Sequence, residues 1–465
     1  MNDSGKACGA TFKEGSVVLT GKKYFTGYNY TCSYAVPQLK DVKEYALIVT
    51  FDGMNKQIAQ VMADLYEEGI APPTVIIGIS GGTYFKTRSD GTDLGLRQFS
   101  YDVFNGEFAD LIVEEIIPEM TRRFGLKISP SPDMHMAAGG SSGGICAWNC
   151  VWFRNDYFRR VYMSSPTFSA MTNGCEAPVL MRLCETKDVR GFMDWSETEP
   201  NDYFGSSYLA ALNAKSALEY AGYDFEYRYN EGEGHCSRFR DEAGLYDAMR
   251  SVWKNYASPV KANTNSPYIG KLTAPTSAWA EVNETMPEAL RAYSAGGAFT
   301  ADGGSIFFTP DNGMRRQVAS GFNEISALAV SSDMWRLYIA EKDGSMLYSM
   351  AIGEDGALKD KMRFASLYTD TFGSGRGVSA MCVDSEDRIY VVTDMGIQVV
   401  KSYGIVCAII NSPFDGNAEG IAFGGANKRC LYAEKGGKVF KRLWNVAGRP
   451  DEKTVTKPAS RDYYY

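Results

Sequence analysis

Only two histidines, His135 and His235, occur among 465 residues. A zinc centre built mainly from imidazoles needs two or three of them together, so that class of site is excluded. Cysteine does not fill the gap, because none of the ten stands in a C-x-x-C pair. Cys146 and Cys150, four apart, share one helical face and read as core thiols. The even count permits disulfides without fixing a pairing. No apolar run reaches the ~18 residues that span a bilayer as a helix. Long runs of Lys or Arg are missing too, and acids exceed bases by 56 to 48, giving a formal charge of −8. Neither nucleic acid nor an anionic membrane is an expected partner. The opening Met1-Asn2-Asp3-Ser4 lacks the basic segment and apolar core of a signal peptide. The compartment stays open between the cytoplasm and a chain whose leader has been removed.

With 45% hydrophobic and 22% charged residues, what is present describes a folded chain. Length alone suggests about three domains; the pattern gives two. From Tyr45 to Tyr256, short apolar runs alternate with amphipathic stretches. Tyr45–Phe51 and Val75–Ile79 are buried-strand runs, stopped by Asp52-Gly53 and Gly81-Gly82. Between them Ile58, Val61, Met62, Leu65 and Tyr66 share a helical face that ends at Gly69. A long helix is expected around Leu111, Ile112, Glu115 and Ile116, and later strands near Arg160–Met163, Val189–Met193 and Phe225–Tyr229. This alternation predicts an α/β domain over residues 1–256, a mainly parallel sheet with helices on both faces. Residues 8–44 form its antiparallel edge.

Residues 257–277 are rich in Pro, Asn, Ser, Thr and Lys, lack periodicity, and read as a linker. From 278 to 465 short strands are divided by Gly and Asp turns. An aliphatic–aromatic pair recurs as Ile306-Phe307, Leu337-Tyr338, Ile389-Tyr390 and Leu431-Tyr432. Spacings of about 30 to 50 residues suit the blades of an all-β propeller-like domain.

The sharpest local signal is Gly139-Gly140-Ser141-Ser142-Gly143-Gly144, set between a strand and the helix start Ile145-Cys146-Ala147-Trp148. A nucleophile elbow has this setting, a turn so sharp that only tiny residues fit two positions either side of the serine. Both registers of G-x-S-x-G are satisfied. Ser141 is preferred, because it leaves Gly144 where the new helix meets the sheet. Ser142 then offers its N–H to an oxyanion. A serine hydroxyl needs a base as it attacks, and imidazole serves at neutral pH. His135 lies on the strand that presents the serine and reads as structural. His235 follows the last strand in a Gly-rich loop, where the base of such a fold sits. The third member, in the order Ser, acid, His, comes from the loop Asp194–Asp202, which holds four carboxylates. Glu199 is chosen, with Asp202 and Glu197 behind it. Gly53, in the turn after the first apolar strand, is assigned the second oxyanion N–H. Trp195, beside the acids, either lines the pocket or packs locally.

Residues 8–256 resemble the enterochelin esterase and feruloyl/acetyl esterase branch of the α/β-hydrolases. The stretches that carry this are Val49-Thr50-Phe51-Asp52-Gly53, Arg97-Gln98-Phe99-Ser100-Tyr101-Asp102, Glu114-Glu115-Ile116-Ile117-Pro118-Glu119, the elbow, and Gly232-Glu233-Gly234-His235. The acid loop departs from the family's Gly-x-x-Asp-like turn. By resemblance the fold is an α/β-hydrolase sandwich. The expected activity is serine carboxylic-ester hydrolysis through an acyl-enzyme, removing feruloyl or acetyl groups from plant polysaccharide. A siderophore or lactone esterase, or an inactive carbohydrate-binding protein, are the alternatives. The partner implied is a small ester or acylated oligosaccharide, with no cofactor, and relatives of this kind favour a secreted or periplasmic location.

Residues 293–447 resemble the gluconolactonase/regucalcin propellers through Ala380–Asp384, Ile389–Thr393 with Gly396–Val399, and Ala422–Gly425. That family holds a divalent metal with Asp, Asn and Glu. Here Ser379 and Ser326 stand where Asp and Asn are expected, and hydroxyls do not replace those ligands for a hard cation. The domain also looks too short for six blades. No metal site is therefore expected, and the domain is read as a scaffold, a substrate-side wall or a homo-oligomer contact.

Overall fold

The computed structural model describes residues 10–87, 93–262, 264–273, 277–287, 293–294, 296–369 and 377–450. The chain divides into two compact units, Met1–Met181 with Thr186–Asn263, and Arg182–Glu185 with Thr264–Tyr465.

The first begins with β1 (Phe12–Thr20), β2 (Tyr28–Pro37), β3 (Ala46–Phe51), α1 (Lys56–Glu67) and β4 (Thr74–Ile79). Short β5 (Thr83–Thr87) and β6 (Asp93–Gly95) precede α2 (Arg97–Tyr101), α3 (Glu107–Leu111) and α4 (Ile117–Phe124). Next come β7 (His135–Gly140), α5 (Ser142–Phe153), β8 (Arg160–Ser164), α6 (Ala177–Leu183) and β9 (Arg190–Thr198). A small hairpin, β10 (Asn201–Asp202) and β11 (Gly205–Ser206), leads to α7 (Ser207–Ala221), β12 (Asp224–Gly234) and α8 (Glu242–Trp253).

The sheet runs β12-β9-β8-β7-β3-β4-β2-β5-β6, with β1 also on β2. β12, β9, β8, β7, β3 and β4 are parallel, and β2 is antiparallel to both β4 and β1. Every residue of β3 (ALIVTF) and β4 (TVIIGI) is buried, as a sheet covered on both faces requires. Strand alternation divides their side chains. Ile48, Ile76, Met136, Ala138 and Tyr162 join α1 and α8 in one core. Leu47, Val49, Ala137 and Val161 are left for the other face. There α5 is buried along nearly its whole length and packs with α2 and α3.

The long helix expected around Leu111–Ile116 is two α-segments joined by a π-turn over Ile112–Ile116. Ile117 N–H bonds back to Ile112 O, and Pro118, which has no N–H, follows at once. The wider turn carries the helix past the missing donor.

The second unit holds α9 (Pro267–Leu272), β13 (Ala280–Val282) and four four-stranded antiparallel sheets. The first sheet is β14 (Tyr293–Ser294), β15 (Gly297–Asp302), β16 (Ser305–Pro310) and β17 (Arg316–Ala319). β18 (Ile325–Val330), β19 (Arg336–Glu341), β20 (Met346–Ile352) and β21 (Leu358–Ser366) form the second. The third comprises β22 (Met381–Val383), β23 (Ile389–Thr393), β24 (Gly396–Val400) and β25 (Val406–Ile410). The last is β26 (Gly420–Gly424), β27 (Cys430–Lys435) and β28 (Lys438–Leu443), with β13 on β28 as its outer strand. β18 touches β15 and β22, and β22 touches β26, which makes the arrangement propeller-like with four blades. Blades two and three are pinned by Asp387, whose buried carboxylate accepts Ser332 N–H at 2.8 Å and Tyr338 O–H at 3.0 Å.

Within the stretch read as a linker, 257–277, the described residues make packed contacts. Val260 N–H donates to Asp133 and Ala262 N–H to Asp188, both in the first unit. Ile269 and Leu272 of α9 are wholly buried in the core of the second.

Candidate active site

At the end of β7 the backbone turns through Ser141 with φ 56° and ψ −125°, and α5 begins at the next residue. A non-glycine residue held there costs about 1–3 kcal/mol, so the surroundings must impose it. They impose it through the glycines. A Cβ on Gly139 would lie 2.2 Å from Gly143 O, and one on Gly143 would lie 3.1 Å from Phe51 Cβ. Both are the partners of Ser141 in its G-x-S-x-G register. Ser141 N–H is held by Ser164 O at 2.9 Å, and its hydroxyl lies 3.4 Å from that of Thr167.

β9 runs on to Thr198, so most of the stretch read as an acid loop is strand. Trp195 is accordingly a buried strand residue packed with Tyr229, not an exposed loop side chain. Burial sorts the four carboxylates. Asp194 is wholly enclosed, accepting Tyr162 and Ser164 hydroxyls at 2.7 Å each, and burial pushes its carboxyl up to about 6. Glu197 accepts Gly232 N–H at 2.7 Å, tying down the bulge in β12. Asp202 caps Phe204 N–H within its own turn at 2.9 Å. Glu199, its side chain only 1% exposed, hydrogen-bonds His235 Nδ1.

The other oxygen of Glu199 accepts Ser165 O–H at 2.6 Å and Ser196 N–H at 2.9 Å. Ser165 Oγ in turn accepts Cys236 N–H at 3.0 Å, so acid and base loops share one network. Burial opposes the charged form of Glu199, but hydrogen bonds from His235, Ser165 and Ser196 hold the carboxyl below its ordinary value. Burial likewise opposes protonation of His235. The Cys236 thiol and Glu199 carboxylate outweigh it and hold the ring above the ordinary imidazole value. With Nδ1 on the carboxylate, Nε2 is the nitrogen left for a proton from serine. Ser141 and His235 line one cavity of about 570 Å³.

His135 has no part in this. It is buried in β7, with Nδ1 3.0 Å from Tyr157 O and Nε2 2.7 Å from Ser129 O.

Ser142, first residue of α5, has a backbone N–H with no acceptor inside the helix. Near it lies Asp102, a wholly buried carboxyl with no hydrogen-bond partner among the described residues, which burial raises to about 6. The Gly53 assignment needs correction at the level of the atom. Gly53 N–H already donates to Ile79 O at 3.0 Å, because the turn stays bridged to β4. Met54, one residue on, also lines the cavity, and among the described residues its N–H makes no hydrogen bond. The turn itself is strained, with φ 62° at Asp52 and 95° at Gly53. Two residues of α2 brace it. Arg97 grips both Asp52 oxygens, at 2.6 and 2.7 Å. Tyr101 O–H accepts Asp52 N–H at 3.0 Å and donates to Ile79 O at 2.8 Å. Both residues belong to the Arg97–Asp102 stretch that carried the resemblance, which was the only hint of their place.

Among the described residues no three of His, Cys, Asp or Glu group as metal ligands. Ser379 and Ser326 donate their hydroxyls to the carbonyls of Ala418 and Ala340. The nine described cysteines are free thiols.

No family model and no curated protein matches this sequence. Solved structures similar to it include a ferulic acid esterase, 17% identical over 53% of this chain and 98% of that one, with TM-score 0.38. Enterochelin esterase from Shigella flexneri is 16% identical over 53% of this chain at TM-score 0.41. A putative gluconolactonase is 15% identical over 38% of this chain at TM-score 0.28. Of the latter two structures only 59% and 58% of the length is spanned.

Proposed function

We propose that the chain is a serine carboxylic-ester hydrolase acting through an acyl-enzyme. The observation that carries this is the strained Ser141 facing the same cavity as His235, whose ring is held by the buried Glu199. The order of β1-β2-β4-β3-β7-β8-β9-β12, with nucleophile, acid and base after β7, β9 and β12, is the order an α/β-hydrolase uses.

Ser141 Oγ attacks the ester carbonyl while His235 Nε2 takes its proton, and Glu199 stabilises the imidazolium that forms. The tetrahedral oxyanion is met by the N–H groups of Ser142 and Met54, each such donor being worth about 10²–10³ in rate. His235 then returns the proton to the departing alcohol. Water, activated by the same imidazole, releases the acid and frees Ser141. Acyl groups on plant-wall sugars, acetate or ferulate, are the substrates this reading favours.

The test is turnover of para-nitrophenyl acetate and methyl ferulate by the wild type and Ser141→Ala. A loss of about 10⁴-fold or more in kcat is expected. Equal turnover by the two would end the proposal.

A further inference from the structure

The cavity shared by Ser141 and His235 carries an excess of positive charge. Lys56, Arg97 and Arg240 line it against one carboxylate, Asp52, both of whose oxygens are taken by Arg97. Lys56 is shared with Glu14 at 2.9 Å, outside the lining. Arg240 has no such neighbour. Among the described residues it makes no ion pair and no side-chain hydrogen bond, and it is exposed. A cationic wall runs against the average of a chain carrying −8.

The local sequence does nothing to neutralise it. Lys56 is the first residue of α1, and no acidic residue occupies that first turn. A cation at a helix N-terminus works against the helix dipole by about 0.3–1 kcal/mol, which the Glu14 carboxylate relieves for Lys56, leaving Arg240 as the unpaired cation of the wall. Position along the chain matters too. Arg240 closes the turn five residues after His235, and Lys56 follows the Asp52-Gly53-Met54 turn. Lys56 and Arg240 therefore sit just beyond the Asp52-Gly53-Met54 turn and His235, the two places that would handle the ester carbonyl.

We infer that the ester cleaved here carries a carboxylate close to the scissile bond, bound by Arg240 with Lys56 beside it. The inference rests on the esterase reading above and names the substrate class of that site. A guanidinium pairs with a carboxylate through two parallel hydrogen bonds, which orients as well as attracts it.

Two matched ester pairs test it, each comparing a carboxylate with its uncharged amide. On the acyl side these are mono-para-nitrophenyl adipate and the corresponding adipamide ester. On the alcohol side they are meta-acetoxybenzoate and meta-acetoxybenzamide. In one pair the wild type should favour the carboxylate about tenfold in kcat/KM at low salt, the effect of a single contact of about 1.4 kcal/mol. The preference should shrink as salt screens it. Arg240→Gln should bring the ratio below about twofold, and Arg240→Lys should keep part of it. A ratio within one preparation cancels any loss of folded enzyme. Ratios near one in both pairs, or a ratio that survives Arg240→Gln, would overturn the inference while Ser141-dependent turnover of the amides still upheld the esterase. No turnover of any of the four esters above Ser141→Ala would defeat both readings.

Discussion

Tyr101 holds the turn that positions Met54 without touching the cavity itself. Its hydroxyl oxygen is the only acceptor of Asp52 N–H among the described residues, and the side chain is fully buried. Tyr101→Phe should therefore lower kcat about tenfold to hundredfold and leave KM nearly unchanged, because an oxyanion donor acts in the transition state. A matched rise in KM would mark a merely structural role. His235 and Glu199 make a second prediction. The base works neutral, and the ring is held above 6.5, so the acid limb of kcat/KM should lie above that value. Stability moves the other way. The raised imidazole stabilises fully below pH 6.5 and loses that contribution as pH climbs through its folded value. The depressed carboxyl stabilises above 4.5 and loses its share as pH falls through its folded value. The difference in melting temperature between wild type and His235→Gln should thus be greatest between about pH 4.5 and 6.5 and decline toward alkaline pH. A constant difference would refute the coupling. At this scale the sequence reveals the serine, since glycine spacing is a steric rule written in residue types. It does not reveal the acid. Four carboxylates lie within nine residues. Two of them, Asp194 and Glu199, are buried, and what picks out Glu199 is its reach to His235, set by where β9 and β12 end.

Between elements, the π-turn has a partner far away in sequence. Glu115, on that turn, accepts the N–H groups of Lys22, Lys23 and Tyr24 at 2.8, 2.9 and 3.0 Å, closing the loop between β1 and β2. Glu115→Ala leaves three donors to water and should destabilise by about 1–3 kcal/mol in urea unfolding. Loss of less than about 0.3 kcal/mol would mean the loop holds itself. The alternation of β3 to β12 with helices was legible because buried strands and amphipathic helices have different periods. The π-turn was not, since an apolar face reads the same through one extra residue. Within 257–277 the helix α9 was hidden for a related reason. α9 has six residues, too few to display a period, and the surrounding Pro, Ser, Thr and Asn resemble solvated chain.

On the scale of whole units, the four aliphatic–aromatic pairs mark the blades because each lies on the second hairpin strand, β16, β19, β23 or β27, flanked by neighbours on both sides. The sequence could not show what joins one blade to the next, such as Asp387. Asp387→Ala strands a buried tyrosine hydroxyl and a backbone N–H, and should destabilise by about 1–3 kcal/mol, read as a lower melting temperature. No change would remove it as the pin. The last blade borrows β13 from ahead of the first, so that Val282 meets Val439 only after every intervening strand exists. A ribosome making this chain cannot finish the last blade until its end is made. β13 waits unpaired for β28, and refolding from denaturant should inherit the same slow, entropy-limited last step.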